Sequence, residues 1–226
     1  MICIIPARSG SKRLKKKNIL KFANKPLIFH TIESAIKSKY IDKVVLSTDS
    51  VEIASICKKL DVLIPFYRPA NLANDSASTV DTVIYTLDRL INEFKFKISN
   101  FVLLQPTSPL RNEIDINNAI EIFNNNNVNS VVSVTKSKLS LNSILSISED
   151  GALIRGIKDS MMNLNKNYYY PNGSIYIYNY FQYKKFRKTL IDKTFPYVMD
   201  NNRSVDIDTI YDFEFANYLF NKQLNE

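Results

Sequence analysis

The order of apolar segments along the chain is the feature that most constrains its fold. Short, nearly continuous apolar runs alternate with longer segments whose apolar residues recur every three or four positions. The first pattern is typical of strands buried on both faces, and the second of helices that cover a sheet. The alternation predicts an α/β fold: a mostly parallel, Rossmann-like sheet with helices on both faces. The predicted strands are Ile2 to Ile5, Val44 to Ser47, Val62 to Pro65, Phe101 to Leu104, Val131 to Val134 and Ser174 to Tyr178.

The predicted helices fill the intervals between these strands. A chain of 226 residues fits one domain of this class, so we expect a single domain over residues 1–226. The regular pattern fails over residues 136–170, which we interpret as an insertion that mediates interactions. The helices are predicted at Pro26 to Ser38, Val51 to Leu60, Ser78 to Phe94, Ile114 to Asn124, Phe181 to Lys188 and Ile210 to Asn221.

Four loops with polar or cationic residues are predicted to meet at one rim of the sheet. Ligands of parallel sheets bind beyond the carboxyl ends of the strands. Residues 8–18 follow the first predicted strand, Thr48 and Asp49 the second, Arg68 the third, and residues 105–111 the fourth. The convergence of these four loops therefore predicts a ligand site at this rim of the sheet.

The first of these loops has the composition of an anion site. It carries six cationic residues, and Ser9, Gly10 and Ser11 let the backbone approach a ligand closely. Neither common glycine-rich nucleotide motif is present, which argues against both of the nucleotide folds that carry them. We expect Arg8, Lys12 and Lys17 to contact a triphosphate and leave the lysines at 15 and 16 to solvent.

Overall composition excludes some classes of function. Lys and Arg exceed Asp and Glu by 30 to 22, but Lys, Asn and Ile are abundant throughout, so the charge of +8 is weak evidence for nucleic-acid binding. His30 is the only histidine, which argues against a histidine-centred triad and excludes a metal site of several histidines within one chain. Cys3 and Cys57 have no metal-site spacing and are interpreted as reduced core residues. The first apolar run is too short for a secretory signal, and no stretch is long enough to span a bilayer, so we expect a cytoplasmic protein.

Six motifs in order resemble one family, the cytidylyltransferases that activate acylneuraminates and related nonulosonic acids. No single motif is specific, but their order is, and the resemblance covers essentially the whole chain. The motifs are Ile5-Pro6-Ala7-Arg8-Ser9-Gly10-Ser11-Lys12 with Lys17-Asn18, Ser47-Thr48-Asp49, Arg68-Pro69 with Leu72-Ala73, Leu104-Gln105-Pro106-Thr107-Ser108-Pro109-Leu110-Arg111, Asn172-Gly173-Ser174-Ile175-Tyr176-Ile177, and Asp206-Ile207-Asp208-Thr209.

The resemblance implies that CTP and a nonulosonic acid give a CMP-sugar and pyrophosphate, with Mg²⁺ as cofactor. It also implies a homodimer formed through residues 136–170, a segment that would border the sugar site. Arg8, Lys17 and Asp208 are the expected catalytic residues. The expected nucleotide contacts are Arg8, Ser9, Gly10, Lys12, Lys17, Asn18, Arg68, Ser78 and Thr79. The expected sugar contacts are Gln105, Thr107, Ser108, Tyr170 and Asn172.

Asp206 and Asp208 are the expected metal ligands. They are alternate residues of a short extended segment, so their side chains share a face with Cα atoms about 6.5 Å apart. Two carboxylates on one face suit a divalent cation bound to phosphate oxygens. Asp208 is also placed to cap the last helix, and both roles are compatible.

Three alternatives stay open from the sequence. The sugar is N-acetylneuraminate, legionaminate or another bacterial relative, because Tyr170-Pro171-Asn172 differs from the neuraminate-specific pattern. The enzyme could instead activate another ulosonic acid, of the eight-carbon KDO type or the pseudaminate type. A basic nucleic-acid-binding module is the alternative from another class, although its cations are not interleaved with aromatic residues except over residues 183–188.

Overall fold

The computed structural model describes residues 1–11, 13–74, 76–140, 143–156 and 167–224. The strands are β1 (Ile2–Ala7), β2 (Lys21–Phe22), β3 (Lys25–Pro26), β4 (Lys43–Thr48), β5 (Asn100–Leu104), β6 (Ser130–Lys136), β7 (Leu145–Ile147), β8 (Leu153–Arg155), β9 (Tyr169–Asn179) and β10 (Thr194–Val198). The helices are α1 (Leu27–Lys37), α2 (Val51–Cys57), α3 (Thr79–Asn92), α4 (Glu113–Asn125), α5 (Tyr180–Phe186) and α6 (Ile210–Leu224).

Six strands form the central sheet, in the order β10-β6-β9-β5-β1-β4. β4, β1 and β5 pair in parallel, and so do β10 and β6. β9 is antiparallel to both of its neighbours, β5 and β6. The predicted mostly parallel α/β sheet is confirmed, with one antiparallel strand inside it.

Hydrophobic cores lie on both faces of this sheet because the strand residues alternate between them. Cys3 and Ile5 of β1 face a core that includes α1, α2 and α4, whereas Ile2 and Ile4 face a core that includes α3 and α5. A third core lies under α6, where Ile207 and Ala216 pack near Phe22 and Leu27. This third core holds the segment before α6 against the first loop and the start of α1.

Two predictions about strands differ from the structure. Residues 62–65 do not form a regular strand; Leu63 and Tyr67 make only isolated parallel bridges to β4. β10 was not predicted, because Pro196 interrupts its apolar pattern. Proline is tolerated there because β10 is the edge strand beyond β6.

The region 136–170 contains an antiparallel hairpin of β7 and β8, separate from the main sheet. Its apolar side chains are largely exposed: Ile147 is 73% and Leu153 70% accessible, and the two residues pair across the hairpin. The predicted interaction region thus presents an apolar surface, and its role in dimerisation stays a prediction. No helix in the described part of the chain is long and apolar enough to cross a membrane.

Candidate functional site

A cleft of about 240 Å³ lies at the carboxyl ends of β1 and β5, as the rule for parallel sheets predicts. The predicted nucleotide contacts that line it are Arg8, Gly10, Lys17, Asn18, Arg68 and Thr79. Two of the predicted sugar contacts, Gln105 and Thr107, line it as well. The structure therefore brings four parts of the chain into one site: the first loop, the segment between α2 and α3, the start of α3 and the loop after β5.

Hydrogen bonds fix the first loop in place. The Asn18 side-chain amide donates to the Arg8 carbonyl oxygen at 3.0 Å, and the Arg8 guanidinium donates to the Asn74 carbonyl oxygen at 2.8 Å. Ser9 donates its amide and its hydroxyl to the Asp49 carboxylate at the end of β4. The polar groups of Ser9 therefore hold the loop to β4 in this conformation.

Arg68 is a buried cation with unused hydrogen-bond donors. Its side chain is 4% exposed, and its Nε and Nη2 have no hydrogen-bond partner. Asp49 lies 3.6 Å from Nη2, which allows an ion pair but is too long for a hydrogen bond. Burial lowers the pKa of Arg68 and Arg8 lowers it further, while Asp49 raises it. Because unpartnered buried donors are costly, this arrangement favours an anionic ligand in the cleft.

Lys17 joins the first loop to the segment that carries the two predicted metal ligands. Its ammonium group donates to the Ile207 carbonyl oxygen at 2.6 Å and to Asp208 Oδ1 at 3.0 Å. Arg13 lies 3.2 Å from Asp208 Oδ2. Lys17 is 12% exposed at its side chain, whereas Arg13 is 68% exposed. Asp208 is therefore held between two cations of the first loop.

Asp206 lies near the Lys17–Asp208 ion pair and is partly exposed to solvent. Partial desolvation raises its pKa, and the charge of Asp208 raises it further, whereas the Thr107 hydroxyl and Lys17 lower it. The Thr107 hydroxyl is close enough to the Asp206 carboxylate to lower its pKa, but it does not meet the geometry of a hydrogen bond. The two carboxylates are thus close enough to influence each other, next to the cationic loop.

These carboxylates fit a magnesium ion that is bound together with phosphates. Within the described residues, no group of three or more His, Cys, Asp or Glu side chains is arranged to hold a metal ion. Mg²⁺ commonly takes only one or two protein carboxylates and completes its shell with water and substrate phosphates. Asp206 and Asp208 supply that number of hard oxygen ligands. They do not line the cleft themselves but lie next to Thr107 and Lys17, which do.

The loop after β5 is held from behind by Arg111. This residue is 2% exposed and donates to the Ser174 carbonyl oxygen at 2.8 Å and to Thr31 Oγ1 at 2.6 Å. Burial lowers its pKa to about 10. Its hydrogen bonds go to neutral acceptors, including the Gln105 carbonyl oxygen at 3.3 Å.

Three predicted sugar contacts do not reach the cleft. Ser108 is fully buried, and Asn172 is 3% exposed with its side-chain oxygen and nitrogen both hydrogen-bonded inside the protein. Tyr170 is half exposed but pairs with Thr135 on β6 and is not among the residues that line the cleft. Ser108 and Asn172 are buried in this structure and do not line the cleft, so their contact with the sugar stays a prediction.

The remaining predicted residues have defined positions with one exception. Ser78 is the N-cap of α3, where its hydroxyl accepts from the Asp81 amide at 2.9 Å. Lys16 is exposed and pairs with Glu52, in agreement with its assignment to solvent. Lys12 lies outside the described residues.

Several site residues were missed by the sequence analysis. Asn74 and Thr82 line the cleft, and Arg13 contacts Asp208. Thr82 follows Ser78 by one helical turn on α3, so the helical period could have indicated it once Ser78 was singled out. Nothing in the local sequence around Asn74 indicates that its backbone carbonyl holds Arg8.

Comparisons with known proteins agree on one family. A family model described as "Cytidylyltransferase" matches residues 2–225. The N-acylneuraminate cytidylyltransferase of Streptococcus agalactiae serotype V is 36% identical over 222 residues, covering 94% of this chain and 51% of the relative. The CMP-N,N'-diacetyllegionaminic acid synthase of Legionella pneumophila is 36% identical over 235 residues, covering 100% of this chain and 97% of the relative. The chain thus spans about half the length of the streptococcal relative and nearly all of the Legionella one.

A solved structure supports the fold independently. A CMP:2-keto-3-deoxy-manno-octonic acid synthetase complexed with CTP superposes with a TM-score of 0.72 at 16% identity, covering 98% of both chains. At this identity the likeness concerns the fold alone.

Proposed function

The chain belongs to the cytidylyltransferase family, and from this premise we propose that it transfers CMP from CTP to the anomeric hydroxyl of a nonulosonic acid and releases pyrophosphate. The observation that carries the proposal is the cleft in which Arg8, Lys17 and the buried, incompletely hydrogen-bonded Arg68 converge. Two relatives whose names specify sialic-type acids, each 36% identical, support the choice of sugar class.

The cationic residues provide the charge neutralisation that this reaction needs. When the sugar hydroxyl attacks the α-phosphorus of CTP, negative charge grows on the departing pyrophosphate. Catalysis of such a transfer consists mostly of positioning and electrostatic stabilisation. Arg8 and Lys17 line the cleft from the first loop and bind the triphosphate oxygens. Arg68 donates its unused N–H groups to the nucleotide.

Asp206 and Asp208 would hold Mg²⁺, the proposed cofactor. When bound, the ion adds positive charge at the phosphate oxygens. Lys17 already contacts Asp208 in the ligand-free protein, so this ammonium group exchanges a carboxylate for a phosphate when CTP enters. The exchange keeps Lys17 paired with an anion in both states.

The single histidine takes no part in the proposed proton transfer. His30 is 6% exposed, and its Nε2 is bonded to the Phe22 carbonyl oxygen at 3.0 Å inside the third core. The proton of the sugar hydroxyl is therefore taken by a carboxylate or by a base derived from water.

The proposals for assembly and location are supported by separate observations. The exposed apolar β7–β8 hairpin is the surface through which we propose a homodimer, because pairing would remove Ile147 and Leu153 from water. Cys3 and Cys57 are buried free thiols, in keeping with the reducing cytoplasm.

The proposal is tested by CTP-dependent pyrophosphate release in the presence of Mg²⁺. The acceptors are N-acetylneuraminate, legionaminate, pseudaminate and KDO, with a reaction without acceptor as control. We expect turnover with a nine-carbon acid of the neuraminate or legionaminate type. Folded protein that turns over none of the four acids would refute the enzymatic proposal, and tight, salt-sensitive binding of RNA or DNA would favour the nucleic-acid alternative.

A further inference from the structure

A bulge in β9 lies at the junction of the two loops that carry site residues. The pairing of β6 with β9 shifts register, so that Val132 faces Tyr176 while Val134 faces Pro171. Ser133 of β6 therefore stands opposite several residues of β9. Gly173, within this bulge, has a φ of +76°, a conformation that favours glycine.

Asn172 ties the bulge to the segment that leads to the metal ligands. Its Oδ1 accepts from the Ser133 hydroxyl at 2.6 Å, and its Nδ2 donates to Ser204 Oγ at 2.9 Å. Ser204 is two residues before Asp206. A buried amide with partners at both ends fixes the distance between the strand and this segment.

Gly173 leaves the space that the Asp206 carboxylate occupies. A Cβ atom at Gly173 would lie 3.0 Å from Asp206 Oδ2 and 3.3 Å from its Cγ, closer than real side chains normally approach. By contrast, a Cβ at Gly151, whose φ is +88°, would meet nothing within 4 Å. The two glycines share a backbone conformation, but only Gly173 is packed against a site residue.

Ser174 ties the same bulge to the other loop. Its carbonyl oxygen accepts from Arg111 Nη1, and this guanidinium nitrogen also donates to the Gln105 carbonyl oxygen. The amide of Ile207 donates to the Thr107 carbonyl oxygen at 2.8 Å, which links the two loops directly. Three consecutive residues of β9 thus connect the segment that carries Asp206 with the loop that carries Gln105 and Thr107.

We propose that Asn172, Gly173 and Ser174 form a positioning element that sets the Asp206 carboxylate against the Gln105–Thr107 loop for metal binding. The inference rests on the proposed function for its metal, and it gives Asn172 a different role from the sugar contact that its motif suggested. None of the three residues lines the cleft. They act through Asp206, in the way that residues behind a metal ligand commonly fix its orientation.

Direct Mn²⁺ binding, followed by electron paramagnetic resonance of the free ion, tests this element without any sugar. Gly173→Ala should weaken Mn²⁺ binding about tenfold or more, the range found when residues that support a ligand are changed. Ser204→Ala removes the acceptor of the Asn172 amide together with the hydroxyl's own bond to the Asp200 carbonyl oxygen, and it should weaken binding in the same direction by a smaller factor. Gly151→Ala is the matched control, since it imposes the same backbone strain without contact to Asp206.

The outcomes separate positioning from stability. If Gly173→Ala and Ser204→Ala bind Mn²⁺ within about twofold of wild type, the positioning role is refuted, whatever their thermal midpoints. If Gly173→Ala does not fold, Ser204→Ala decides the matter alone. Wild-type protein without measurable Mn²⁺ binding would overturn the inference, whereas failure of the proposed function has a different signature: Mn²⁺ binding without formation of any CMP-sugar.

Discussion

Replacement of Lys17 by methionine is the sharpest test of how the first loop works. Methionine keeps an unbranched apolar chain but removes the ammonium group that contacts Ile207 and Asp208. The chain provides a matched control one residue earlier, because Lys16 is 65% exposed at its side chain and pairs with Glu52. Lys17→Met and Lys16→Met therefore remove the same charge from the same loop, one from the cleft and one from the surface.

The expected magnitudes follow from these contacts. A hydrogen bond to a charged group contributes about 1.5–3 kcal/mol, so losing the proposed Lys17–phosphate contact should lower kcat/KM for CTP about 10- to 100-fold. Stability should change little, because Asp208 is 44% exposed and keeps Arg13 as a partner. The pair is exposed on its carboxylate side only, since Lys17 is 12% exposed. We expect a partly exposed pair of this kind to contribute about 1 kcal/mol, or about 2–4 °C in thermal midpoint for a chain of this length.

The assay is pyrophosphate release at saturating sugar, with CTP varied, beside a thermal melt of each variant. Lys16→Met should keep kcat/KM close to that of wild type. Equal kcat/KM values for the two variants would refute the assignment of Lys17 to the triphosphate. A large loss of thermal stability in Lys17→Met alone would instead show that the Lys17–Asp208 contact holds the fold.

Three further predictions concern other parts of the molecule. Arg68→Met should leave the free energy of unfolding unchanged or higher, because the guanidinium lacks hydrogen-bond partners at Nε and Nη2. The same variant should raise KM for CTP about tenfold, and an unchanged KM would contradict the assignment of Arg68 to the nucleotide. Burial lowers the pKa of His30, so the unfolded state binds its proton more readily, and the free energy of unfolding should fall between about pH 7 and pH 5 more steeply in wild type than in His30→Gln. Equal slopes in urea titrations would argue against this. Ile147→Lys combined with Leu153→Lys should convert the proposed dimer to monomer in light scattering, and a dimer that persists would exclude the hairpin as the interface.

Apolar patterning predicted most of the fold because buried strands and amphipathic helices differ in period. It could not give the direction of β9, since Ile175 and Ile177 face one core and Tyr176 and Tyr178 the other, as in any strand buried on both faces. It also missed β10, where an edge position rather than the local sequence accommodates Pro196. Strand direction and edge position are properties of the assembled sheet.

Within the site, the sequence predicted cations better than their partners. Arg8 and Lys17 reach the cleft because they follow β1, and Arg68 reaches it because the residue before it, Tyr67, bridges the end of β4 at the same rim. Asn172 belongs to a motif of the site, yet its side chain faces inward, because a bulge changes which residues of a strand point to which side. The contact of Arg13 with Asp208 joins residues far apart in the chain, and no local pattern reports such a pair.

The antiparallel strand β9 also affects the order in which the chain can fold. β5 and β6 have no hydrogen bonds with each other and are joined only through residues 169–179, which are synthesised after both. Until those residues have left the ribosome, the nascent chain has the three-stranded portion β4-β1-β5 and the single strand β6, and the unpaired edges of both are prone to pair wrongly. We therefore expect premature termination before residue 169 to yield aggregating fragments, and the six-stranded sheet to close in one late step dominated by contacts between distant residues.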